Sequence, residues 1–258
     1  MKKLTRKDVM MMIESSNNGT ILDLSNLNLS DIDLSFLKLN NVNFNNSDLS
    51  NVKFEDSELK GANLSECNLD NTVFRSSILT DIDLSKSNII NSVFEYNTMS
   101  NSDMKDTKCH NTIFKDNIMM ESNLINSIIS ECYFIKCILK NSNLEKIRIF
   151  KSLFNGGDMS GIRFNNSYLN EVEMPSVMLS TCYFDGSCIV KCNMSSVVLY
   201  EVNMKNCNIN NTKFDCSSIS HVDFKDSFII NSSFRFSDIK QCNLFNTTLI
   251  NNDIKELL

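Results

Sequence analysis

The sequence predicts an all-β solenoid, because its apolar residues recur at an interval that neither a helix nor a single strand explains. From Leu24 to Ile254 every fifth residue is Leu, Ile, Phe or Met, and Cys109 is the one exception among 47 positions. Helices repeat their apolar positions every three or four residues, and half-buried strands every two. The residue two before each of these central residues is Ser, Cys, Thr, Ala or Gly at 30 of the 47 positions. A fixed period over nearly the whole chain indicates a repeat architecture.

The repeats resemble the pentapeptide-repeat family, whose consensus is A(D/N)Lxx. The stretch from Ala62 to Glu66, ANLSE, matches that consensus in full, and the resemblance covers about nine-tenths of the chain. It implies a right-handed quadrilateral β-helix, in which four pentapeptides make one square turn. It also implies that the central residue and the residue two before it point inward, while the other three face solvent.

A coil of 20 residues predicts that side chains stack with those 20 positions away. Met174 and Met194 interrupt one column of large core residues, and we expect Phe164 and Phe184 on the neighbouring wall to replace the missing bulk. About twelve coils at ~4.8 Å spacing give a rod about 55 Å long. The predicted core column consists of Phe54, Phe74, Phe94, Phe114, Phe134, Phe154, Phe214 and Phe234.

The predicted organisation is a cap at residues 1–20, the solenoid at 21–254 and a C-terminal tail at 255–258. Thr5–Asp8 has the form of a helix-starting capping box, with Asp in place of Glu, so we expect a short helix over residues 5–16 that covers the first coil. The small positions next to this cap are filled by larger residues, which predicts a widened apolar end: Leu22, Leu27, Ile32, Leu37 and Val42.

Two irregularities interrupt the uniform pattern. Gly156, Gly157 and Pro175 predict a local bulge or kink but no domain boundary, since the five-residue register continues through them. Residues 21–135 carry 17 acidic and 8 basic residues, whereas residues 136–258 carry 12 and 13, so one end of the rod is expected to be acidic. A basic cluster is predicted from Lys136, Lys140, Lys146, Arg148, Lys151 and Arg163.

The reactive side chains show no catalytic or metal-binding pattern. Seven of the ten cysteines occupy the small inward position, where a thiol packs as a small hydrophobe, and the spacing of a zinc site is absent. Cys109 points inward and its neighbour His110 outward, which argues against a Cys–His dyad, and His221 lies at an outward corner. We therefore expect no enzyme activity, no cofactor and no metal.

The location and the excluded partners follow from composition. The apolar run at residues 9–13 is too short for a signal-peptide core, and no segment approaches the length of a membrane span. We expect a cytoplasmic, bacterial protein with reduced thiols, and delivery into a host cell stays open. The net charge of −6 disfavours direct nucleic-acid binding. Neither a membrane nor a small-molecule substrate is expected as a partner.

Outward positions of the repeat are usually polar, so functional residues are expected where an outward position is apolar instead. Apolar residues replace Asp or Asn on two adjoining walls near the middle of the rod, and a contiguous face of this kind would mark an interaction surface. The alternative is that these residues only stack on one another and strengthen the sheet. The candidate interface is Val73, Val93, Ile113, Tyr133, Leu153, Ile78, Ile118, Ile138 and Ile135.

Two classes of function are therefore open. The first is an interaction scaffold that presents flat β-walls to a protein partner, with a homodimer as the commonest form. The resemblance adds that some family members are effectors delivered into host cells. The second, also implied by the resemblance, is mimicry of B-form DNA, in which family members bind DNA gyrase or topoisomerase IV and protect them from quinolones. The moderate charge, the short C-terminus and the lack of loops between coils argue against mimicry.

Overall fold

The computed structural model describes residues 3–16 and 21–253, in which a chain of parallel pairings links each residue to the one 20 positions further on. Phe54 pairs with Phe74, and Asp23 with Asn43. Each coil therefore has four walls of five residues. Wall 1 carries the central residues Leu24 to Leu244 in steps of 20, wall 2 Leu29 to Leu249, wall 3 Leu34 to Phe234, and wall 4 Leu39 to Ile239. The predicted all-β, right-handed quadrilateral solenoid is confirmed.

Walls 2, 3 and 4 form strands over part of their length and single-residue bridges over the rest, whereas in the described residues wall 1 is held by single-residue bridges alone. Wall 2 is a nine-stranded sheet: Asn88–Ile90, Lys108–His110, Ile128–Ser130, Arg148–Phe150, Tyr168–Asn170, Cys188–Val190, Asn208–Asn210, Phe228–Ile230 and Thr248–Ile250. Wall 3 has six strands: Lys53–Glu55, Val73–Arg75, Val93–Glu95, Ile113–Lys115, Tyr133–Ile135 and Leu153–Asn155. Wall 4 has three: Val198–Tyr200, Ser218–Ser220 and Asp238–Lys240.

The corners explain why the sequence is rich in Asn. Every residue two after a central residue, from Asn26 to Asn251, has a positive φ. Asn, Asp and Gly adopt this left-handed conformation with the least strain. Asn side chains also bond between coils at these corners, as from Asn46 Nδ2 to Asn26 Oδ1 at 2.9 Å. The corner residue is therefore chosen for backbone conformation before anything else.

The small inward residues join the coils through hydrogen bonds. The Ser47 hydroxyl donates to the Leu24 carbonyl at 2.8 Å and accepts from the Leu27 N–H at 3.0 Å. A buried hydroxyl without partners would be costly, but this one is satisfied on both sides. The same pattern recurs at Ser77 and Ser87, which explains why serine is tolerated inside the rod.

The core phenylalanines stack along wall 3 as predicted. Ring centroids from Phe54 to Phe154 follow one another at 4.6–4.9 Å with nearly parallel planes. Phe164 and Phe184 also stack, at 4.8 Å, but the prediction that they lie on the neighbouring wall was wrong. They belong to wall 1, two pentapeptides away and across the coil from wall 3. Bulk that wall 3 loses is thus replaced from the opposite side of the shared interior.

The N-terminal end is covered by helix α1, Arg6–Ser15. The predicted capping box is present, with the Thr5 hydroxyl and the Asp8 carboxylate each bonded to the other's backbone N–H. Val9 is fully buried against the first coil, and the Arg6 guanidinium donates to the carbonyl oxygens of Asp33 and Ser35. The expected helical cap is confirmed.

The irregular segment keeps the 20-residue register, so its irregularity is confined to the local backbone. Gly156 and Gly157 have φ of 65° and 90°, and a Cβ on Gly157 would come within 2.1 Å of the Cys137 carbonyl oxygen. The wall 3 sheet ends at Leu153–Asn155, one coil before Pro175, which has no N–H to extend a strand. Single bridges such as Asp158 to Met178 continue the solenoid.

The described C-terminal end differs from the capped end. Ile239, Leu244 and Leu249 are only partly buried, although the same positions in earlier coils are fully enclosed. The predicted tail at 255–258 lies outside the described residues. Within the described residues, no helix has the length and apolarity needed to cross a membrane.

Candidate functional site

The predicted apolar column on wall 3 is a continuous ladder. Val73, Val93, Ile113, Tyr133 and Leu153 pair directly with one another along the rod. Val73, Val93 and Leu153 are half-buried by this stacking, so part of the column strengthens the sheet. Ile113 and Tyr133 keep 37% and 45% of their surface exposed. The middle of the ladder therefore offers apolar surface that stacking does not cover.

The adjoining wall 4 extends this surface. Ile78 and Ile118 are 47% and 40% exposed, while Ile138 and Ile135, the last strand residue before the corner, are half-buried. The structure thus brings all nine predicted interface residues onto two walls that meet at one corner. We call these nine residues the corner face. Its role as an interface stays a prediction.

Apolar exposure is wider than the sequence interpretation allowed. Met178, Val198 and Tyr200 continue the apolar surface along wall 4, each more than 40% exposed. Phe228 and Ile250 are exposed on wall 2, so exposure is not confined to walls 3 and 4.

Three aromatic corner residues were missed. Phe36, Tyr96 and Phe236 all lie at the corner between walls 3 and 4, with positive φ and with 73%, 53% and 88% of their surface exposed. An aromatic side chain in this conformation costs about 1–2 kcal/mol relative to glycine. The sequence could have indicated these three residues. Each is aromatic at an outward corner position that is usually polar, just as Tyr133 is aromatic at an outward wall position.

Charged residues run beside the apolar ladder on wall 3. The Arg75 guanidinium lies 3.1 Å from carboxylate oxygens of both Glu55 and Glu95, which are its neighbours one coil below and one coil above. Wall 3 is therefore divided lengthwise into an apolar column and a charged column. Where the apolar column ends, a groove is lined by Tyr133, Lys151, Ser152, Leu153, Glu171, Glu173 and Lys191.

The buried thiols are chemically quiet. Burial raises the pKa of Cys67, Cys182, Cys192 and Cys207 to about 12. The thiolate is the reactive and metal-binding form, so these groups stay protonated at neutral pH. Within the described residues, no group of three His, Cys, Asp or Glu side chains is arranged to hold a metal.

The Cys109–His110 pair does not form a dyad. Burial raises the pKa of Cys109, whereas His110 is exposed and its Nδ1 lies 3.0 Å from the Ser130 hydroxyl. His221, at its outward corner, packs edge-on against Tyr200, with 5.6 Å between the ring centroids.

The predicted basic cluster is dispersed around the coil. Arg163 lies on wall 1, Arg148 on wall 2 and Lys140 on wall 4, and Lys136, Lys146 and Lys151 occupy three different corners. The prediction of a single cluster was wrong, because five-residue steps carry neighbouring sequence to different walls. In the described parts of the chain, none of the six bases lies within 4.0 Å of a carboxylate.

Solved structures with similar coordinates include HetL, a pentapeptide repeat protein involved in heterocyst differentiation regulation in the cyanobacterium Nostoc sp. strain PCC 7120. It is 15% identical, with 95% of this chain and 94% of HetL covered and a TM-score of 0.36. QnrB1, a plasmid-mediated fluoroquinolone resistance protein, is 16% identical, with 69% and 90% covered and a TM-score of 0.38.

Tailspike protein 3 of bacteriophage CBA120 is 10% identical, with 92% of this chain and 55% of the tailspike covered and a TM-score of 0.56. This likeness concerns the fold alone. No curated protein matches the chain. The family model for pentapeptide repeats matches eight copies, at residues 28–65, 67–106, 179–215 and 192–228 among them. Together with the five-residue register and the four-walled coil, this match shows that the chain is a member of the pentapeptide-repeat family.

Proposed function

We propose that this chain is a non-catalytic scaffold that binds a protein partner through the corner face. The observation that carries the proposal is the exposure of Ile78, Ile113, Ile118 and Tyr133 on two adjoining walls. The apolar residues of the two walls meet at Ile135, while the charged column of Glu55, Arg75, Glu95 and Lys115 separates them in the earlier coils. Clustered exposed apolar residues, unlike single ones, mark interaction sites. The three aromatic corner residues along the same edge support this, since aromatic side chains dominate interface energetics.

A rigid wall favours this use. Parallel pairing along wall 3 fixes the spacing of the ladder at about 4.8 Å per coil, so a partner meets side chains that are already ordered. The groove beside Tyr133 and Leu153 gives the flat wall a local depression that can receive a side chain.

DNA mimicry is less well supported than a scaffold role. Several acids of the 21–135 segment lie against bases, including Glu55 and Glu95 on Arg75 and Glu66 on Lys86. Imitation of a phosphate backbone requires a row of unpaired negative charges. Carboxylates that are paired with bases produce a weaker electrostatic field than such a row. A gyrase supercoiling assay with and without a quinolone separates the two functions. The scaffold proposal expects no effect at stoichiometric excess.

The direct test is capture of partners by the purified protein and its variants from a bacterial lysate. Ile113→Glu and Tyr133→Glu should remove specific partners, since a buried charge without a counter-ion opposes docking by several kcal/mol. Lys213→Glu is the matched control, because Lys213 holds the same repeat position on wall 3 beyond the apolar ladder. If all three variants retain the same proteins, the corner face serves only sheet stacking.

Sedimentation identifies the case in which the partner is a second copy. A dimer that Tyr133→Glu dissociates and Lys213→Glu preserves would make the corner face a homodimer interface. A dimer that all the variants preserve would place self-association elsewhere.

A further inference from the structure

Wall 2 is a second distinctive surface, separate from the corner face. Its nine strands present 18 outward side chains, the first and last of each strand, and none of them is acidic. The other walls carry outward acids at the same height, such as Asp103, Glu95 and Asp158. Half of the 18 residues are apolar: Ile90, Ile128, Phe150, Tyr168, Cys188, Val190, Phe228, Ile230 and Ile250.

An ordered cation lies at the centre of this wall. The Arg148 guanidinium carbon is 5.4 Å from the centroid of the Phe150 ring, and that ring packs on Tyr168 at 5.7 Å. Lys108 lies two coils away on the same column, about 10 Å along the rod. In the described structure, no carboxylate lies within 4.0 Å of Arg148 or Lys108. The guanidinium is thus held in place by aromatic contact while its charge is uncompensated.

Two unsatisfied polar atoms lie on the same wall. Asn170 Oδ1 and Asn210 Oδ1 are the buried side-chain acceptors without a hydrogen-bond partner among the described residues. Buried acceptors of this kind are rare in folded proteins. Both follow the central residues of wall 2, so this wall carries polar atoms that its own strands leave unsatisfied.

We propose that wall 2 binds an acidic, extended segment of a partner protein. One carboxylate pairs with Arg148, and a second three residues along reaches Lys108. An apolar side chain between them packs on Ile128, and another beyond Arg148 packs on Phe150 and Tyr168. In the extended polyproline II conformation three residues span about 9 Å and bring the side chain back to the same face, which matches the two coils between the cations. The charge-assisted pairing supplies orientation, and the aromatic contact supplies apolar burial.

A protein segment fits this wall better than a nucleic acid. Glu131 and Glu171 are exposed at the corner that follows wall 2, on the Phe150 side of the wall. A nucleic acid is charged at every nucleotide, so part of its backbone would lie against these acids. A peptide can carry carboxylates only at the positions that meet Arg148 and Lys108. Nucleic-acid binding also rises with the number of phosphates neutralised, and wall 2 offers two cations besides His110.

The experiment measures fluorescence anisotropy of three labelled probes with the whole protein. The probes are a peptide of four Glu-Leu-Ser repeats, the matching peptide of four Lys-Leu-Ser repeats, and a 12-nucleotide oligouridylate. Wild-type protein should bind the acidic peptide and not the basic one. Arg148→Glu should weaken this binding at least tenfold, because a favourable charge contact becomes a repulsive one.

Arg163→Glu is the matched control, since Arg163 occupies the same repeat position on wall 1 and also lacks a carboxylate within 4.0 Å. It should leave binding of the acidic peptide within twofold of wild type. Tyr168→Ser, which keeps all charges, should weaken binding several-fold through lost apolar contact. Circular dichroism and the thermal midpoint establish that each variant is folded, and Arg148→Gln replaces Arg148→Glu if the latter is not.

Three outcomes overturn the proposal. Absence of acidic-peptide binding by the wild type does so directly. Equal weakening by Arg148→Glu and Arg163→Glu would reduce the effect to overall charge. Arg148-dependent binding of the oligouridylate that exceeds binding of the peptide would make wall 2 a nucleic-acid surface. None of these outcomes bears on the corner face, whose residues are unchanged in every variant.

Discussion

Walls 1 and 3 are opposite sides of one coil, built from the same repeat, yet they use the residue before the central one differently. On wall 1 the Asp103 carboxylate accepts from the Lys105 N–H at 3.0 Å and from Asn123 Nδ2 at 3.1 Å. On wall 3 only Asp33 and Asn193, which lie outside its strands, accept in this way among the described residues. The wall 1 residues that accept from the backbone two positions on are Asp23, Asn43, Asn63, Asp83, Asp103, Asn123, Asn143, Asn203, Asp223 and Asn243. These side chains close turns, so they belong to the scaffold.

On wall 3 the same position holds Val73 to Leu153, and the backbone continues as strand. A strand satisfies its backbone through the neighbouring coils, so no side chain is needed to close a turn. The outward residue is then free to vary without loss of the fold. In this solenoid, functional residues are therefore expected on the walls where strands replace turns.

The largest expected effect is the loss of stability at alkaline pH, to which buried thiols on walls 1 and 3 should contribute equally. Burial raises the pKa of Cys182 on wall 1 and Cys192 on wall 3 to about 12. Unfolded thiols titrate near pH 8.5, so above that pH the unfolded state loses protons that the folded state keeps. The unfolding free energy is therefore unaffected by these thiols below pH 8.5. It falls as the pH rises toward 12, by roughly 1.4 kcal/mol per pH unit for each such thiol.

Urea unfolding between pH 7 and 11 checks this expectation. Cys182→Ser and Cys192→Ser should each reduce the alkaline slope by a similar amount, since serine already occupies 16 equivalent positions and does not titrate there. A reduced slope for only one of the two variants would break the equivalence of the two interiors.

Truncation of the core is the next largest effect. Phe114→Ala on wall 3 and Phe184→Ala on wall 1 each remove a fully buried ring from a stack and should cost about 3–5 kcal/mol of unfolding free energy. Similar losses, measured by urea unfolding, would sharpen the view that the walls differ only on the outside. A loss below about 1 kcal/mol for Phe184→Ala would show that wall 1 packs more loosely.

The smallest effect concerns the corner that leads into wall 1. Thr181 is a β-branched residue with a φ of 55°, a strained combination. Thr181→Asn should raise the unfolding free energy by about 0.5–1 kcal/mol. Asn101→Thr, at the same corner, is the reverse control and should lower it, since it also removes the hydrogen bond to Asp81. Changes of the same sign in both variants would contradict the role given to the corner conformation.

The sequence was sufficient for the features set by local period. The inward positions, the phenylalanine column of wall 3 and the Thr5–Asp8 cap follow from residue size, spacing and hydrogen-bonding type. The wall on which Phe164 lies was predicted wrongly. Phe164 is two five-residue steps from Met174, which on a four-walled coil places it on the opposite wall and not on the adjacent one.

The outer surface was less accessible from the sequence. Stretches of strand and of turn share one repeat pattern, so the sequence did not separate wall 1 from wall 2. The Arg148–Phe150–Tyr168 contact joins residues of adjacent coils, and their apolar and cationic types attract no notice until the coils are stacked. The aromatic residues Phe36, Tyr96 and Phe236 were missed because corner positions were treated as uniformly polar.

The division of the repeat into scaffold and free surface is tested most directly by one paired measurement of unfolding free energy. Asp103→Ala on wall 1 removes the turn-closing contacts and should cost about 1–2 kcal/mol. Ile113→Thr, at the same repeat position on wall 3, keeps a β-branched side chain in an exposed strand position and should change stability by less than about 0.5 kcal/mol. Equal losses in the two variants would contradict the account, because the outward residue of wall 3 would then be as much a part of the scaffold as that of wall 1.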